Sequence, residues 1–134
     1  MKKVAFICVH NSCRSQIAQA LGRHLAGEVF ESYSAGSQVK DQINPDALRL
    51  MKDLYGIDMA KDQYPKTVAQ IPDPDLAISM GCYGTCPLSS RGFDEDWQLE
   101  DPTGKDDQAF KGVIQEIEDR ILDLKARLQG DLDK

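Results

Sequence analysis

The sequence contains no long apolar run and no pattern typical of export. No apolar stretch approaches the ~20 residues that a membrane-spanning helix needs. Lys2-Lys3 is followed only by a short apolar segment and then by polar residues, which is not the pattern of a signal peptide. We therefore expect a cytoplasmic protein without a membrane partner.

Positive charge is also in deficit. The chain has 22 acidic and 16 basic residues, a net charge of −6. Such a surface repels polyanions, so nucleic acid is not expected as a partner. An anionic substrate must instead be captured by a local concentration of donors.

Histidine is scarce, which bears on the four cysteines of the chain. These are Cys8, Cys13, Cys82 and Cys86. Two disulfides would suit a secreted protein, but a reducing compartment favours redox-active or metal-binding thiols. A zinc site usually needs four ligands, and beyond the cysteines only His10 and His24 are available. A zinc site would have to use Cys8 or Cys13 as a ligand, and that cysteine could then not serve in the loop described below. We therefore predict neither a metal nor a cofactor.

The length of 134 residues suits one domain, residues 1–134. Apolar periodicity predicts strands at 4–8, 29–34, 76–80 and 97–99. It predicts helices after residue 15, over 45–55 and over 64–71, and a long amphipathic helix with an apolar stripe from Phe110 to Leu128. Alternating strands and helices predict an α/β fold, a single three-layer domain in which a four-stranded parallel sheet has helices on both faces.

The segment Cys-Val-His-Asn-Ser-Cys-Arg, residues 8–14, directly follows the first predicted strand. Backbone N–H groups of such a loop can converge on an anion, and the next helix adds its positive end. Arg14 supplies a bidentate fork, and Ser15 can hydrogen-bond the sulfur of Cys8. These donors favour the thiolate, so Cys8 is predicted to be a nucleophile rather than an inert buried residue. The predicted substrate-binding residues are His10, Asn11, Ser12, Cys13, Arg14 and Ser15.

A second pair of thiols, Cys82 and Cys86, follows the third predicted strand. The neighbouring Gly81 and Gly84 make a disulfide between them possible, and metal binding is the alternative. In a parallel sheet the carboxyl ends of the strands share one edge, so we expect Cys8 and Cys82 at the same edge.

Asp101 is held in an extended loop by the following Pro102. If this loop folds over the anion site, the carboxyl of Asp101 faces a thiolate and an oxyanion. Its pKa would then be raised, and it could protonate a leaving oxygen. The alternative is that it belongs to an acidic surface stretch.

Four groups of residues carry a resemblance to a known family. They are Cys-Val-His-Asn-Ser-Cys-Arg-Ser-Gln at 8–16, Tyr-Ser-Ala-Gly at 33–36, the late cysteine pair, and Trp97 with Asp-Pro-Thr-Gly-Lys at 101–105. The chain resembles the low-molecular-weight tyrosine phosphatase fold family and, within it, the thioredoxin-coupled arsenate reductases. It departs from the phosphatases at Gln16, where they have proline, at Thr103-Gly104, where they have tyrosines, and in its late cysteines.

The resemblance implies a thiol relay that reduces arsenate to arsenite. Cys8 attacks arsenate held by the loop amides and Arg14, and Asp101 protonates the departing oxygen. Cys82 then attacks Cys8 and releases arsenite, after which Cys86 attacks Cys82. The Cys82–Cys86 disulfide is reduced by thioredoxin, with a glutaredoxin-type partner left open.

Two alternatives remain beside this implication. A phosphatase would use Cys8, Arg14 and Asp101 but neither late cysteine. A zinc- or arsenite-binding module would hold its ligand through three thiols without turnover.

The chain also departs from the arsenate reductases at two places. The interval between Cys82 and Cys86 is shorter than in well-known members, so the relay loop must refold differently. Asn11 and Ser34 match ligands of a cation site reported in some relatives, but Gln19 stands where an acidic residue is usual. We therefore predict no bound potassium ion.

Overall fold

The computed structural model describes residues 1–81 and 93–132. The strands are β1 (Lys2–Cys8), β2 (Phe30–Gly36), β3 (Leu76–Ser79) and β4 (Glu95–Asp96). The helices are α1 (Arg14–Ala26), α2 (Pro45–Tyr55), α3 (Met59–Asp62) and α4 (Asp107–Leu132), with a 3-10 turn at Val68–Gln70.

The four strands form one parallel sheet in the order β2-β1-β3-β4. The central strand, β1, is buried on both faces, as its continuous apolar run predicts. Its side chains alternate, so Val4 and Phe6 enter a large core while Ala5 and Ile7 enter a smaller cluster. Cys8, two residues after Phe6, also belongs to the large core.

The large core contains the apolar faces of α1, α2 and α4. The predicted stripe of α4 is buried as expected, with members Phe110, Val113, Ile114, Ile117, Ile121, Leu124 and Leu128. On the opposite face, the smaller cluster includes Val68 of the 3-10 turn. The predicted α/β fold with a four-stranded parallel sheet is confirmed.

The ends of α2 follow from local chemistry. The side-chain oxygen of Asn44 accepts hydrogen bonds from the amides of Asp46 (2.8 Å) and Ala47 (3.2 Å), and Pro45 takes the first turn. Gly56 ends the helix in the left-handed conformation, with φ of 71°. Both signals were readable in the sequence.

The predicted helix over 64–71 is wrong. The structure has α3 before it and only the 3-10 turn within it. Pro65 disfavours a helical Tyr64, and the backbone of Lys66 is held by tertiary hydrogen bonds. Its carbonyl accepts from Gly36 N (2.9 Å), and its amide donates to Asn11 Oδ1 (2.9 Å).

The predicted strand over 97–99 lies instead at Glu95–Asp96. Gln98 has φ of 46°, in the left-handed region that ends a strand. Trp97 and Leu99 are nevertheless buried and donate backbone hydrogen bonds to Ser79 O (2.8 Å) and Met80 O (3.0 Å). These two side chains belong to the core, although the backbone that carries them is not a strand.

Among residues 1–81 and 93–132, no helix is long and apolar enough to cross a membrane.

Replacing the α2 cap tests the local origin of this helix. Asn44→Ala should lower the free energy of unfolding by about 1 kcal/mol, because two amides lose their acceptor. Asp58→Ala is the matched control, since Asp58 precedes α3 without a side-chain capping bond. Chemical denaturation measures both, and an equal loss in the two variants would contradict the capping argument.

Candidate active site

The loop between β1 and α1 has all of its carbonyls occupied from outside. The pairs are Val9 O with Gln38 N (2.9 Å), His10 O with Lys40 N (3.1 Å), Asn11 O with Gln16 Nε2 (3.0 Å), Ser12 O with Asn44 N (2.7 Å) and Cys13 O with Ile17 N (2.9 Å). In a trans peptide, the carbonyl of one residue and the N–H of the next point in opposite directions. The N–H groups of residues 10–14 therefore point away from these donors, toward the interior of the loop.

This geometry makes an anion-binding concavity. Inward N–H groups and the start of α1 at Arg14 together concentrate positive potential at one point. Gly36 allows β2 to come close, because a Cβ there would lie 2.7 Å from Val9 O and 2.8 Å from Cys8 O. The loop is thus held by its own helix and by the chain that follows β2.

Cys8 directly precedes this loop in the sequence, and 3% of its surface is exposed. Its sulfur is 2.8 Å from Ser15 Oγ. Ser15 Oγ in turn accepts a hydrogen bond from Asn11 Nδ2 (2.8 Å). Asn11 itself has a left-handed backbone, with φ of 49°, and this conformation turns the loop at its midpoint. The contact between Ser15 and Cys8 expected from the sequence is present.

Arg14 is 7% exposed and is held by two backbone carbonyls. Its Nη1 donates to Met80 O (2.9 Å) and to Leu99 O (2.8 Å). Both bonds use Nη1, so within the described part of the chain the Nε–Nη2 edge is left for an oxyanion. Gly81 lies against the guanidinium: a Cβ there would be 2.9 Å from Nη1, and its φ is 120°.

Cys13, which precedes α1, is buried like Cys8, with 4% of its surface exposed. Burial, followed by the negative charge of Asp101, raises the pKa of the Cys13 thiol to about 12. Arg14 and a hydrogen bond from Thr103 act in the opposite direction but are weaker. The Cys13 thiol is therefore protonated at neutral pH.

Asp101 lies beside the loop, close enough for its charge to be felt by Cys13 and Arg14. The raised pKa expected when Asp101 faces a thiolate and an oxyanion stays a prediction. Partial desolvation raises the pKa of Asp101, but hydrogen bonds from Thr103, with Arg14 and Lys40, outweigh it and lower the pKa. The amide of Thr103 donates to Asp101 Oδ1 at 3.0 Å. The carboxylate is stabilised in its charged form by the turn that carries it.

The remaining loop residues are also in place. Ser12 is buried, and His10 Nδ1 lies 2.9 Å from Gln38 O, so this ring nitrogen carries the proton. Gln19 and Ser34, two positions of the cation-site comparison, hydrogen-bond to each other. With its amide oriented to donate to Ser34, Gln19 accepts from Arg23 Nη2 at 2.8 Å.

Some residues of the site were missed by sequence reasoning. Gln16, Gln63 and Lys66 bond to the loop or to each other, and Gly81 and Thr103 support Arg14 and Asp101. Gln16 was noticed only as a difference from the phosphatases. Gln63 had no signal, because its partner is 47 positions away in the sequence.

The predictions for Cys82 and Cys86 lie outside the described residues. Within the described ranges, no three His, Cys, Asp or Glu side chains are grouped so that they could hold a metal ion.

Comparisons with known proteins agree with this geometry. The family described as low molecular weight phosphotyrosine protein phosphatase matches residues 3–134. The chain is 33% identical to a glutaredoxin arsenate reductase of Synechocystis over 96% of this chain and 99% of that protein. It is 35% identical to an arsenate reductase of Staphylococcus xylosus over 94% and 98% of the two chains.

A solved structure is similar over almost all of this chain. The thioredoxin-dependent arsenate reductase of Corynebacterium glutamicum matches with a TM-score of 0.77 and 37% identity, covering 98% of this chain and 63% of that one.

The difference between the two loop thiols can be measured by alkylation. Cys13 should remain unmodified by iodoacetamide at pH 8 until the protein is unfolded in urea, because the thiolate is the reactive form and the pKa of this thiol is about 12. Peptide mass spectrometry with and without urea measures this. Rapid labelling of Cys13 in the folded protein would show that the thiol is accessible and ionised.

The close approach at Gly81 makes a second prediction. Gly81→Ala should lower the free energy of unfolding by about 1–3 kcal/mol, because it strains a left-handed residue. It should also weaken the binding of inorganic phosphate by displacing Arg14. Gly112→Ala is the control: a Cβ there meets nothing within 4 Å, and helix propensity predicts a gain of about 0.5–1 kcal/mol. Unchanged phosphate affinity in Gly81→Ala, measured by calorimetry, would contradict the coupling to Arg14.

Proposed function

This chain belongs to the low molecular weight phosphotyrosine protein phosphatase family, and we propose that it is an arsenate reductase working as a single domain of residues 1–134. Electrons pass to arsenate through Cys8, Cys82 and Cys86. The observation that carries the proposal is the placement of the Cys8 thiol at a loop whose N–H groups face inward and whose last residue is Arg14. The Cys82–Cys86 pair distinguishes a reductase from a phosphatase.

The first chemical step is the attack of the Cys8 thiolate on arsenic. A sulfur–arsenic bond forms, and one arsenate oxygen leaves as water after receiving protons. Inward N–H groups and Arg14 stabilise the charge on the remaining oxygens. Asp101 is the proposed proton donor. Its low pKa in the free protein is opposed by the negative charge of the bound oxyanion, which favours the protonated carboxyl.

The second step transfers two electrons. Cys82 attacks the sulfur of Cys8, the sulfur–arsenic bond breaks, and its electron pair stays on arsenic as arsenite leaves. A Cys8–Cys82 disulfide results. Cys86 then attacks Cys82, and Cys8 departs as a thiolate ready for another cycle. The net change is arsenate and two thiols to arsenite, water and one disulfide.

The residues that precede Cys82 in the sequence support this order of attack. Met80 accepts a hydrogen bond from Arg14, and Gly81 lies against the same guanidinium. Cys82 is the next residue in the sequence. The covalent chain thus leads from the Arg14 contact directly to the thiol that must attack Cys8.

Thioredoxin is the proposed reductant. The relay ends in a disulfide between two cysteines of the chain itself, which a dithiol partner can reduce by exchange. The Corynebacterium relative is named thioredoxin-dependent, whereas the Synechocystis relative is named for glutaredoxin. Turnover with each reductant separates the two.

Phosphate-ester hydrolysis is a second candidate activity. Cys8, Arg14 and Asp101 lie in one site, and ester hydrolysis requires no further thiol. Because phosphate and arsenate are both tetrahedral oxyanions, the same donors serve either substrate. A weak phosphatase side activity is therefore proposed.

Disulfide mapping after one arsenate turnover without a reductant tests the relay. We expect a Cys82–Cys86 bridge with Cys8 free, and a trapped Cys8–Cys82 bridge in Cys86→Ser. Cys82→Ser should release no arsenite while its hydrolysis of a phosphate ester is retained. Peptide mass spectrometry and arsenite assays measure these outcomes.

Arsenite release that survives in Cys82→Ser would contradict the relay. A persistent Cys8–Cys13 bridge after turnover would point to the phosphatase instead.

A further inference from the structure

A chain of hydrogen bonds runs through buried side chains from Gln63 to Cys8. Gln63 Nε2 donates to Gln16 Oε1 (2.8 Å), and Gln16 Nε2 donates to Asn11 Oδ1 (3.0 Å). Asn11 Nδ2 donates to Ser15 Oγ (2.8 Å), which lies 2.8 Å from Cys8 Sγ. The chain joins the segment after α3 to the sulfur of the candidate nucleophile.

Backbone groups determine the direction of the three amide links, from Gln63 to Ser15. Gln63 Nε2 also contacts Gln16 O (3.1 Å), a carbonyl, so this end of the Gln63 amide must be the donor. Gln16 Nε2 likewise contacts two carbonyls, Asn11 O (3.0 Å) and Tyr64 O (3.1 Å). Asn11 Oδ1 accepts from the Lys66 amide, so the NH₂ group of Asn11 must face Ser15. No amide in the chain can rotate without losing a backbone partner.

The fixed amide of Asn11 limits the hydrogen bonds that Ser15 can make. Its hydroxyl has one proton, and its oxygen already accepts from Asn11. A second lone pair remains on this oxygen, so either Ser15 or a Cys8 thiol can donate in their contact. A Cys8 thiolate can only accept, and Ser15 then donates its proton to Sγ, which favours the thiolate.

We propose that Gln63 is a positioning residue that holds the Ser15 hydroxyl within hydrogen-bond distance of Cys8, acting through Gln16 and Asn11. The inference rests on the proposed role of Cys8 as the nucleophile. Gln63 touches neither Cys8 nor the loop concavity, so its effect is transmitted along the chain.

Burial makes this chain effective. Asn11, Ser15 and Gln16 are fully buried, and Gln63 is 7% exposed. Water does not compete well for such groups, and removing one leaves its partner buried and unsatisfied. A substitution at Gln63 should therefore change the orientation of Gln16 rather than be compensated by solvent.

The pH profile of Cys8 alkylation by iodoacetamide tests the proposal, with the Cys8 peptide quantified by mass spectrometry. Gln63→Met keeps the size and the net charge of the side chain. Its profile should have its inflection about 0.5–1 pH unit above that of the unsubstituted protein, as expected for the net effect of one hydrogen bond. Gln16→Met, the next link, should shift the profile in the same direction and serves if Gln63→Met does not fold.

The charged groups near the two ends of this hydrogen-bonded chain are unchanged in these variants. Arg14 and Asp101 lie at the Cys8 end, together with the thiol of Cys13. Arg23, His24, Asp58 and Asp62 line a surface pocket of about 210 Å³ with Gln63 at the other end. Lys66 contributes its backbone amide. A shift in a neutral variant therefore reports the hydrogen bonds.

Gln70→Met is the matched control. Gln70 lies in the same segment and accepts from Thr67 N at 2.7 Å. Its side chain is not one of those that link Gln63 to Cys8. Its alkylation profile should not move.

Placing Gln63→Met in a Ser15→Ala background separates positioning from general destabilisation. If Gln63 acts through Ser15, the second substitution should add no further shift. An equal shift in both backgrounds, or no shift when Ser15 is present, would overturn the proposal.

The alkylation reports Cys8 alone, so its result is independent of the relay. A shifted profile together with a failed disulfide-mapping experiment would overturn the reductase and leave the role of Gln63 standing.

Discussion

The site depends on the outward bonding of the carbonyls of residues 9–13. Five donors, from α1 and from the chain after β2, take these carbonyls and so direct the following N–H groups inward. An isolated peptide of residues 8–14 would not keep this conformation, because its amides would point in many directions and bind water. The concavity for an anion is therefore a product of the surrounding fold, arranged before any substrate arrives.

The same contacts hold distant parts of the chain together. Arg14, the first residue of α1, bonds to Met80, which follows β3, and to Leu99, which follows β4. Asn11 joins the loop to Lys66 and, through Gln16, to Gln63. These bonds lie at the carboxyl edge of the sheet, the edge at which parallel sheets bind their ligands. Stability of the fold and geometry of the site thus draw on the same hydrogen bonds.

Several features were predictable because their causes are local. A continuous apolar run identified β1, an asparagine followed by proline marked the start of α2, and a helical stripe identified α4. The sequence also indicated Cys8, Arg14 and Ser15 from their spacing. The prediction of a helix over 64–71 was wrong because the backbone of Lys66 hydrogen-bonds to the distant residues Gly36 and Asn11 rather than within a helix. The hydrogen bonds from Thr103 that lower the pKa of Asp101 had no signal in the sequence, because they depend on how the turn folds.

The sequence by itself determined the order of the four strands along the chain, helices α1, α2 and α4, the family resemblance and the reactive groups of the loop, since each follows from short-range spacing and residue type. Only the tertiary structure decided which amides point inward, which thiol is kept protonated and which glutamines reach the nucleophile. These depend on bonds between residues tens of positions apart, such as Gln16 with Gln63 and Arg14 with Leu99. No pattern within a single helix, strand or loop encodes the partner of such a bond.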